Sequence, residues 1–238
     1  MLFSASTRIA FAHYPKTAGT SLTNWFLRAF PDARPACSGF PHTSVTRGLE
    51  LLGERSEPTS PRPWFLKLSR HSVVTATGSV GTPIRIIGVV REPFEMLVSL
   101  YEYWRRNTVP SRSSFIRAAQ RQSFSEFLRV GFRRNNIVSY ERFFDVGGPT
   151  WPTTRLVAFE SLQDGLDEVC REFGIAHRPH LERLNGSPRY QRTMDDYVTE
   201  AGPLYGRVRA HFAWYYGQGR HLAIHGPGHT HSHERLAA

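Results

Sequence analysis

The sequence predicts an α/β fold, with a parallel sheet flanked by helices on both faces in a single domain. Short apolar runs at residues 8–14 (RIAFAHY), 84–90 (IRIIGVV) and 155–159 (RLVAF) are typical of buried strands. Each run precedes a segment whose apolar residues recur three and four positions apart, which is the spacing of an amphipathic helix. Because strands alternate with helices, a parallel arrangement of the strands is favoured.

The remaining elements follow from periodicity and from Pro and Gly punctuation. Residues 107–121 are polar and basic and are predicted to form a mobile loop. Helices are predicted at residues 20–30, 45–52, 94–105, 124–132, 162–173 and 195–216, the last broken near Gly202.

Length and composition bound the class of protein. The chain has 238 residues, enough for one domain with a substantial core. We expect this domain at residues 1–220 and a disordered His-rich tail at residues 221–238. Two cysteines exclude a disulfide framework and a four-thiolate zinc site. The sequence suggests no bilayer span and no cleavable signal peptide, so we expect a cytoplasmic protein.

The charge balance indicates an anionic partner. Lys and Arg together number 30 against 20 acidic residues, a net charge of +10. All but two of the cations are arginines, whose planar side chain grips phosphate and sulfate through two parallel hydrogen bonds. One of the two lysines, Lys16, lies in a turn that has the features of a phosphate-binding loop.

That turn is at residues 14–21 (YPKTAGTS), between a predicted strand and a predicted helix. Backbone N–H groups and the positive end of the helix dipole would converge on an anion there. Lys16 adds a full charge, and Gly19 lets the backbone approach a phosphate closely. Thr20 and Ser21 stand where N-cap hydroxyls are expected. The loop of ATP-binding proteins, GxxxxGK[ST], has its lysine at the helix start, so this is a different phosphate cradle or a plain capped surface turn.

A second pattern is VREPFEMLVSLY at residues 90–101, with Arg91 at the end of the central strand and Ser99 in the next helix. A third is FESL at residues 159–162. In this order, after PKTAGTS, the patterns resemble the sulfotransferases that use 3′-phosphoadenosine 5′-phosphosulfate (PAPS). The resemblance covers roughly residues 8–216 and is closer to the carbohydrate-type and bacterial branches. The RKGxxGxWK segment of the aryl and steroid branch is missing.

The resemblance implies a P-loop-like sheet, PAPS as donor and PAP (the 3′,5′-bisphosphate) as product, with no metal. It implies that Lys16 acts beside the bridging oxygen of the phosphosulfate as an electrostatic catalyst. It also implies that Arg91 and Ser99 hold the 3′-phosphate, with Arg189 the candidate for a further contact from the C-terminal side. The residues implied to bind the 5′-phosphate are Lys16, Thr17, Ala18, Gly19, Thr20 and Ser21.

Sulfuryl transfer to a hydroxyl also needs a general base. His42 lies in the segment after the first predicted helix, and the ordinary pKa of histidine suits the task. His71, ahead of the central strand, is the alternative. We interpret His13 as a packing or hydrogen-bonding residue on the strand.

The predicted function is therefore transfer of a sulfuryl group to a hydroxyl of a carbohydrate or small metabolite. A nucleotide-dependent kinase on a related fold is one alternative, and a non-catalytic module for anions or glycans is another. Residues 38–82 and 106–123 are predicted to contact the acceptor, since such loops vary on a fixed scaffold. Nucleic acid is not an expected partner, and the acceptor and the oligomeric state stay open.

Overall fold

The structure is a computed structural model, and it describes residues 1–37, 42–53, 83–177, 181 and 192–219. The predicted tail at residues 221–238 and the segment with His71 lie outside the described residues.

A five-stranded open sheet lies at the centre of the described chain. Its strands are β1 (Leu2–Ser4), β2 (Ile9–Ala12), β3 (Arg34–Pro35), β4 (Arg85–Val90) and β5 (Thr154–Ala158). They are arranged in the order β3-β1-β2-β4-β5. Strands β2, β4 and β5 are parallel, whereas β1 is antiparallel to both β2 and β3.

The prediction of a wholly parallel sheet is therefore wrong at one edge. Residues 5–8 connect β1 to β2, and so short a connection can only produce an antiparallel pair, because parallel strands need a longer crossover. At only three residues, β1 is too short for its pattern to identify it as a strand. The P-loop-like character of the fold stays a prediction.

Nine α-helices surround the sheet in the described residues. They are α1 (Gly19–Ala29), α2 (Val45–Leu51), α3 (Pro93–Arg106), α4 (Ser114–Arg121), α5 (Phe124–Arg133), α6 (Tyr140–Phe144), α7 (Leu162–Phe173), α8 (Met194–Ala201) and α9 (Pro203–His211). Helices α1 and α7 cover one face, and the core of the other face is formed with residues of α2, α3, α4, α5, α6, α8 and α9. The predicted α/β class with helices on both faces is confirmed.

Alternate side chains of the parallel strands belong to two separate cores. One core takes Ile9, Phe11, Ile87, Val89 and Val157, and the other takes Ala10, Ala12, Ile86, Val90 and Leu156. All of these residues are buried or nearly so, and this explains the apolar runs that predicted the strands. The predicted strands and helices agree with the structure to within two residues, except that the last helix ends at His211 and not at residue 216. The predicted break near Gly202 is present.

The mobile loop predicted at residues 107–121 is wrong for its second half. Residues 114–121 form α4, whose N-cap Ser113 accepts a hydrogen bond from the Ile116 N–H. Phe115, Ala118 and Ala119 bury one side of this helix. Its polar residues lie on the other side, so the average composition obscured the periodicity.

Parallel pairing brings three loops to one edge of the sheet. The registers pair Ala12 with Gly88 and Val90 with Ala158, so β2, β4 and β5 end close to one another. Ligands of open α/β sheets bind outside the carboxyl ends of such strands.

None of the described helices is long and apolar enough to span a membrane.

Candidate anion-binding site

The loop after β2 has an unusual backbone. Lys16 (φ 62°) and Ala18 (φ 58°) both adopt the left-handed conformation, which is uncommon for residues other than glycine. The Thr17 side chain is fully buried, and its hydroxyl donates to the Tyr14 carbonyl at 2.8 Å. This contact holds the turn from inside, so Thr17 can meet a ligand only through its backbone. Strained residues of this kind are concentrated at functional sites.

Helix α1 begins at Gly19, one residue earlier than the sequence predicts. Its N-cap is Ala18, which has no side chain that can cap, so Thr20 and Ser21 belong to the first turn and not to the cap. Thr20 is exposed. The first N–H groups of a helix have no partner within the helix and readily bind an anion. The N-cap prediction is thus wrong, but the helix end is still suited to an anion.

The Lys16 ammonium lies among other cations. Its Nζ is 4.4 Å from the centre of the Tyr103 ring on α3. Partial burial, together with the charges of Arg91 and Arg106, lowers the pKa of Lys16 below its usual value. Three cations from the β2 loop, the end of β4 and the end of α3 therefore share one region. Such a concentration of positive charge favours an anionic ligand.

Arg91 follows β4 directly and is held by its neighbours. Its guanidinium stacks 4.6 Å from the centre of the Phe159 ring, at the end of β5, and lies 3.5 Å from the Glu95 carboxylate. The Arg91 Nε is buried without a hydrogen-bond partner among the described residues. A buried N–H with no acceptor costs free energy that a bound oxyanion would recover.

Tyr140 on α6 fixes the backbone at Arg91. Its hydroxyl donates to the Arg91 carbonyl at 2.7 Å, and the Arg91 N–H donates to the same hydroxyl at 3.2 Å. The Tyr14 ring packs edge-on against Tyr140, with ring centres 4.8 Å apart. The β2 loop and the end of β4 are thus braced by one aromatic cluster.

Ser99 lies on α3, about two helical turns beyond the end of the helix that is near Arg91. It is 2% exposed, and its Oγ has no hydrogen-bond partner among the described residues. A hydroxyl in this position needs a partner. The resemblance to the sulfotransferases implies that Ser99 and Arg91 hold the same phosphate, and in the structure each has a buried polar atom without a partner among the described residues.

His42 and His13 lie beside the loop. The His42 Nδ1 is 3.2 Å from the His13 carbonyl, and the two rings are 4.4 Å apart. A carbonyl can only accept, so this contact assigns the proton to Nδ1 and leaves Nε2 of His42 unprotonated. Desolvation lowers the pKa of His42, although the residue as a whole is exposed. The neutral ring thus presents a basic nitrogen.

His13 fills the space above Gly19. A Cβ atom at Gly19 would come within 1.4 Å of the His13 Nε2, so only glycine fits there. The His13 ring also stacks on Phe11, and burial lowers its pKa to about 3. His13 is therefore a neutral packing residue, as the sequence predicts.

His71 and Arg189 lie outside the described residues, so those predictions stay untested. In the part of the chain that the structure describes, no group of at least three His, Cys, Asp or Glu side chains is arranged to hold a metal.

Several residues of the site have no signal in the sequence. Tyr103 and Arg106 lie on α3 beyond the Arg91 motif, and only the apolar periodicity of that helix could have located them. Glu160 accepts a hydrogen bond from the Glu92 N–H at 3.2 Å and so ties the ends of β5 and β4 together. The third pattern, FESL, contains this residue without revealing its partner.

The described chain thus has clustered cations and an uncapped helix end at the carboxyl edge of parallel strands. This arrangement is typical of an anion-binding crevice in an α/β protein. Comparison of the chain with models of known protein families, with curated proteins and with solved structures found no match.

Proposed function

We propose that the protein transfers a sulfuryl group from PAPS to a hydroxyl of a carbohydrate or small metabolite and releases PAP. The observation that carries the proposal is the shared cationic region of Lys16 and Arg91 at the ends of neighbouring parallel strands. These are the two positions at which the sequence resembles the binding motifs for the 5′- and 3′-phosphates of this donor.

In this mechanism the β2 loop binds the 5′-phosphosulfate. Backbone N–H groups of residues 17–21 and the end of the α1 dipole hold its oxygens. Lys16 stabilises the charge that develops on the bridging oxygen as the bond to sulfur breaks. Arg91 donates to the 3′-phosphate, and Ser99 adds a hydroxyl. A 3′-phosphate is absent from ATP, so this second contact selects the donor.

The transfer is an in-line displacement at sulfur. The acceptor oxygen forms a bond to sulfur while the bond from sulfur to the bridging phosphate oxygen breaks, and PAP leaves with that electron pair. Nε2 of His42 takes the proton of the acceptor hydroxyl. The hydrogen bond from Nδ1 to the His13 carbonyl supports this role, because it keeps Nε2 available.

The test is calorimetric titration with PAP in the absence of metal and, separately, with ATP and Mg²⁺. We expect PAP to bind and to bind about tenfold or more weakly to Arg91→Ala, since a charge-assisted contact is lost. Arg171→Ala is the matched control, because Arg171 is an exposed arginine on α7.

Each result discriminates among the proposals. PAP binding that falls only in Arg91→Ala supports the sulfotransferase assignment. Preference for ATP with Mg²⁺ would favour the kinase. Binding that falls equally in both variants and declines steeply with salt would indicate a charge-driven module without a donor site.

A further inference from the structure

An arginine-lined groove lies between α4 and α5, and it shares no lining residue with the site described above. Its volume is about 300 Å³, at the lower end of the range for small-ligand sites. The groove is lined by Ser114, Arg117, Ala118, Arg121, Gln122, Glu126, Val130 and Arg133.

The groove has an excess of positive charge that the described chain does not neutralise. Arg117, Arg121 and Arg133 are exposed, and Glu126 is its one acidic residue. The Glu126 carboxylate is engaged by Arg129 at 3.1 Å, outside the groove. Arginines held at a groove wall favour carboxylate and sulfate groups, which they bind through two hydrogen bonds each.

One basic segment joins the groove to the Lys16 region. Arg106, whose charge acts on Lys16, ends α3, and α4 begins after residues 107–113. Gln120 stabilises the start of the connection at residues 107–113 by donating to the Asn107 and Val109 carbonyls at 2.6 and 2.9 Å. Arg117 stabilises the end of the same connection by donating to the Ser111 and Arg112 carbonyls. Five of the eight groove residues, at positions 114–122, therefore lie in the segment from which we expect acceptor contacts.

From this placement we infer that the acceptor is an acidic oligosaccharide, whose carboxylate or sulfate groups bind in the α4–α5 groove while a neighbouring hydroxyl reaches Lys16. The inference rests on the proposed function. The groove lining contains no aromatic residue on which bases could stack, and this disfavours a single-stranded nucleic acid. Ser114 and Gln122 supply the neutral polar groups that sugar hydroxyls require.

The experiment compares two double variants that remove equal charge. Arg121→Gln with Arg133→Gln alters the groove and spares Arg117, whose hydrogen bonds support the local backbone. Arg142→Gln with Arg171→Gln alters exposed arginines on α6 and α7. Calorimetry measures binding of a heparin-derived hexasaccharide, a single-stranded oligonucleotide of the same charge and, in parallel, PAP.

We expect the groove variant to bind the hexasaccharide about tenfold more weakly, while the control changes less than about twofold. PAP affinity should be unchanged in both. Equal weakening in the two variants, with PAP still bound, would overturn the groove assignment and leave the proposed function standing. Equally tight binding of the oligonucleotide in the groove would assign it to nucleic acid instead. Failure of the unaltered protein to bind PAP would overturn both proposals.

Discussion

Lys16 illustrates how the site depends on single residues. Its backbone is left-handed, and its ammonium lies over the Tyr103 ring. Among the contacts that the structure describes for its ammonium, none is with an acidic group that would neutralise its charge. The charge of this side chain is therefore available to a bound anion.

We expect Lys16→Ala to lower kcat about a hundredfold or more, because a group that stabilises the leaving charge is removed. PAP affinity should fall less than about tenfold, since the loop backbone and Arg91 remain. Steady-state kinetics and PAP titration measure the two effects. Arg28→Ala, on the exposed side of α1, is the control. A variant that kept full turnover would remove Lys16 from the mechanism.

His42 is expected to set the pH dependence of transfer. A base works only when it is neutral, and desolvation of the ring lowers the pKa of His42 from its ordinary value. Activity should therefore decline with falling pH over a range that lies below the one expected for a histidine with an ordinary pKa. A pH profile of kcat tests this. His13, with a pKa of about 3, is neutral throughout that range and adds no decline of its own.

His42→Ala should lower kcat about a hundredfold or more and abolish this decline, while PAP still binds. An unchanged rate and profile would transfer the role of base to the alternative, His71.

At the scale of the elements, α8 is anchored by a buried polar contact. The Tyr197 hydroxyl donates to the Glu102 carboxylate on α3 at 2.6 Å, and both residues are more than nine-tenths buried. Arg105 lies 3.8 Å from the same carboxylate. Glu200, also on α8, accepts from the Phe124 N–H at 2.6 Å and so caps α5.

We expect Tyr197→Phe to lower the free energy of unfolding by about 1–3 kcal/mol, because Glu102 loses its hydrogen-bond donor inside the protein. Glu102→Gln should cost less, since the amide oxygen still accepts from Tyr197. Urea denaturation of the two variants gives both values. A neutral result for Tyr197→Phe would show that the contact adds nothing to stability.

At the scale of the molecule, the close approach of α6 to the sheet depends on a glycine in the central strand. A Cβ atom on Gly88, in the central strand, would lie 2.4 Å from the Phe144 ring and 2.7 Å from a Leu156 methyl carbon. Among the described residues, and apart from the chain neighbours and the backbone of α9 itself, no atom lies within 4 Å of the same position on Gly206. One glycine is therefore required by packing and the other is not.

Gly88→Ala should destabilise the protein by about 1–3 kcal/mol through overpacking. Gly206→Ala should stabilise it by about 0.5–1 kcal/mol, because alanine loses less backbone entropy in a helix. Thermal unfolding of both variants checks the opposite signs. If Gly88→Ala stabilised the protein as much as Gly206→Ala, α6 would be able to move away from the sheet and make room for the added methyl group.

The sequence by itself determined the α/β class, the principal strands and helices, and the positions of Lys16 and Arg91 at the ends of two strands. These features depend on local periodicity and on short motifs, which neighbouring residues specify. The short edge strands and α4 escaped this reasoning because their signals are brief or masked by polar residues.

Only the tertiary structure decided which side chains meet. Tyr103, Arg106 and Tyr140 join the site because α3 and α6 pack against the strand ends, and no local pattern encodes such long-range contacts. The orientation of His42 likewise depends on a carbonyl 29 positions away in the chain. Contacts of this kind arise when the sheet and the helices bury their apolar faces together, so the completed core determines them.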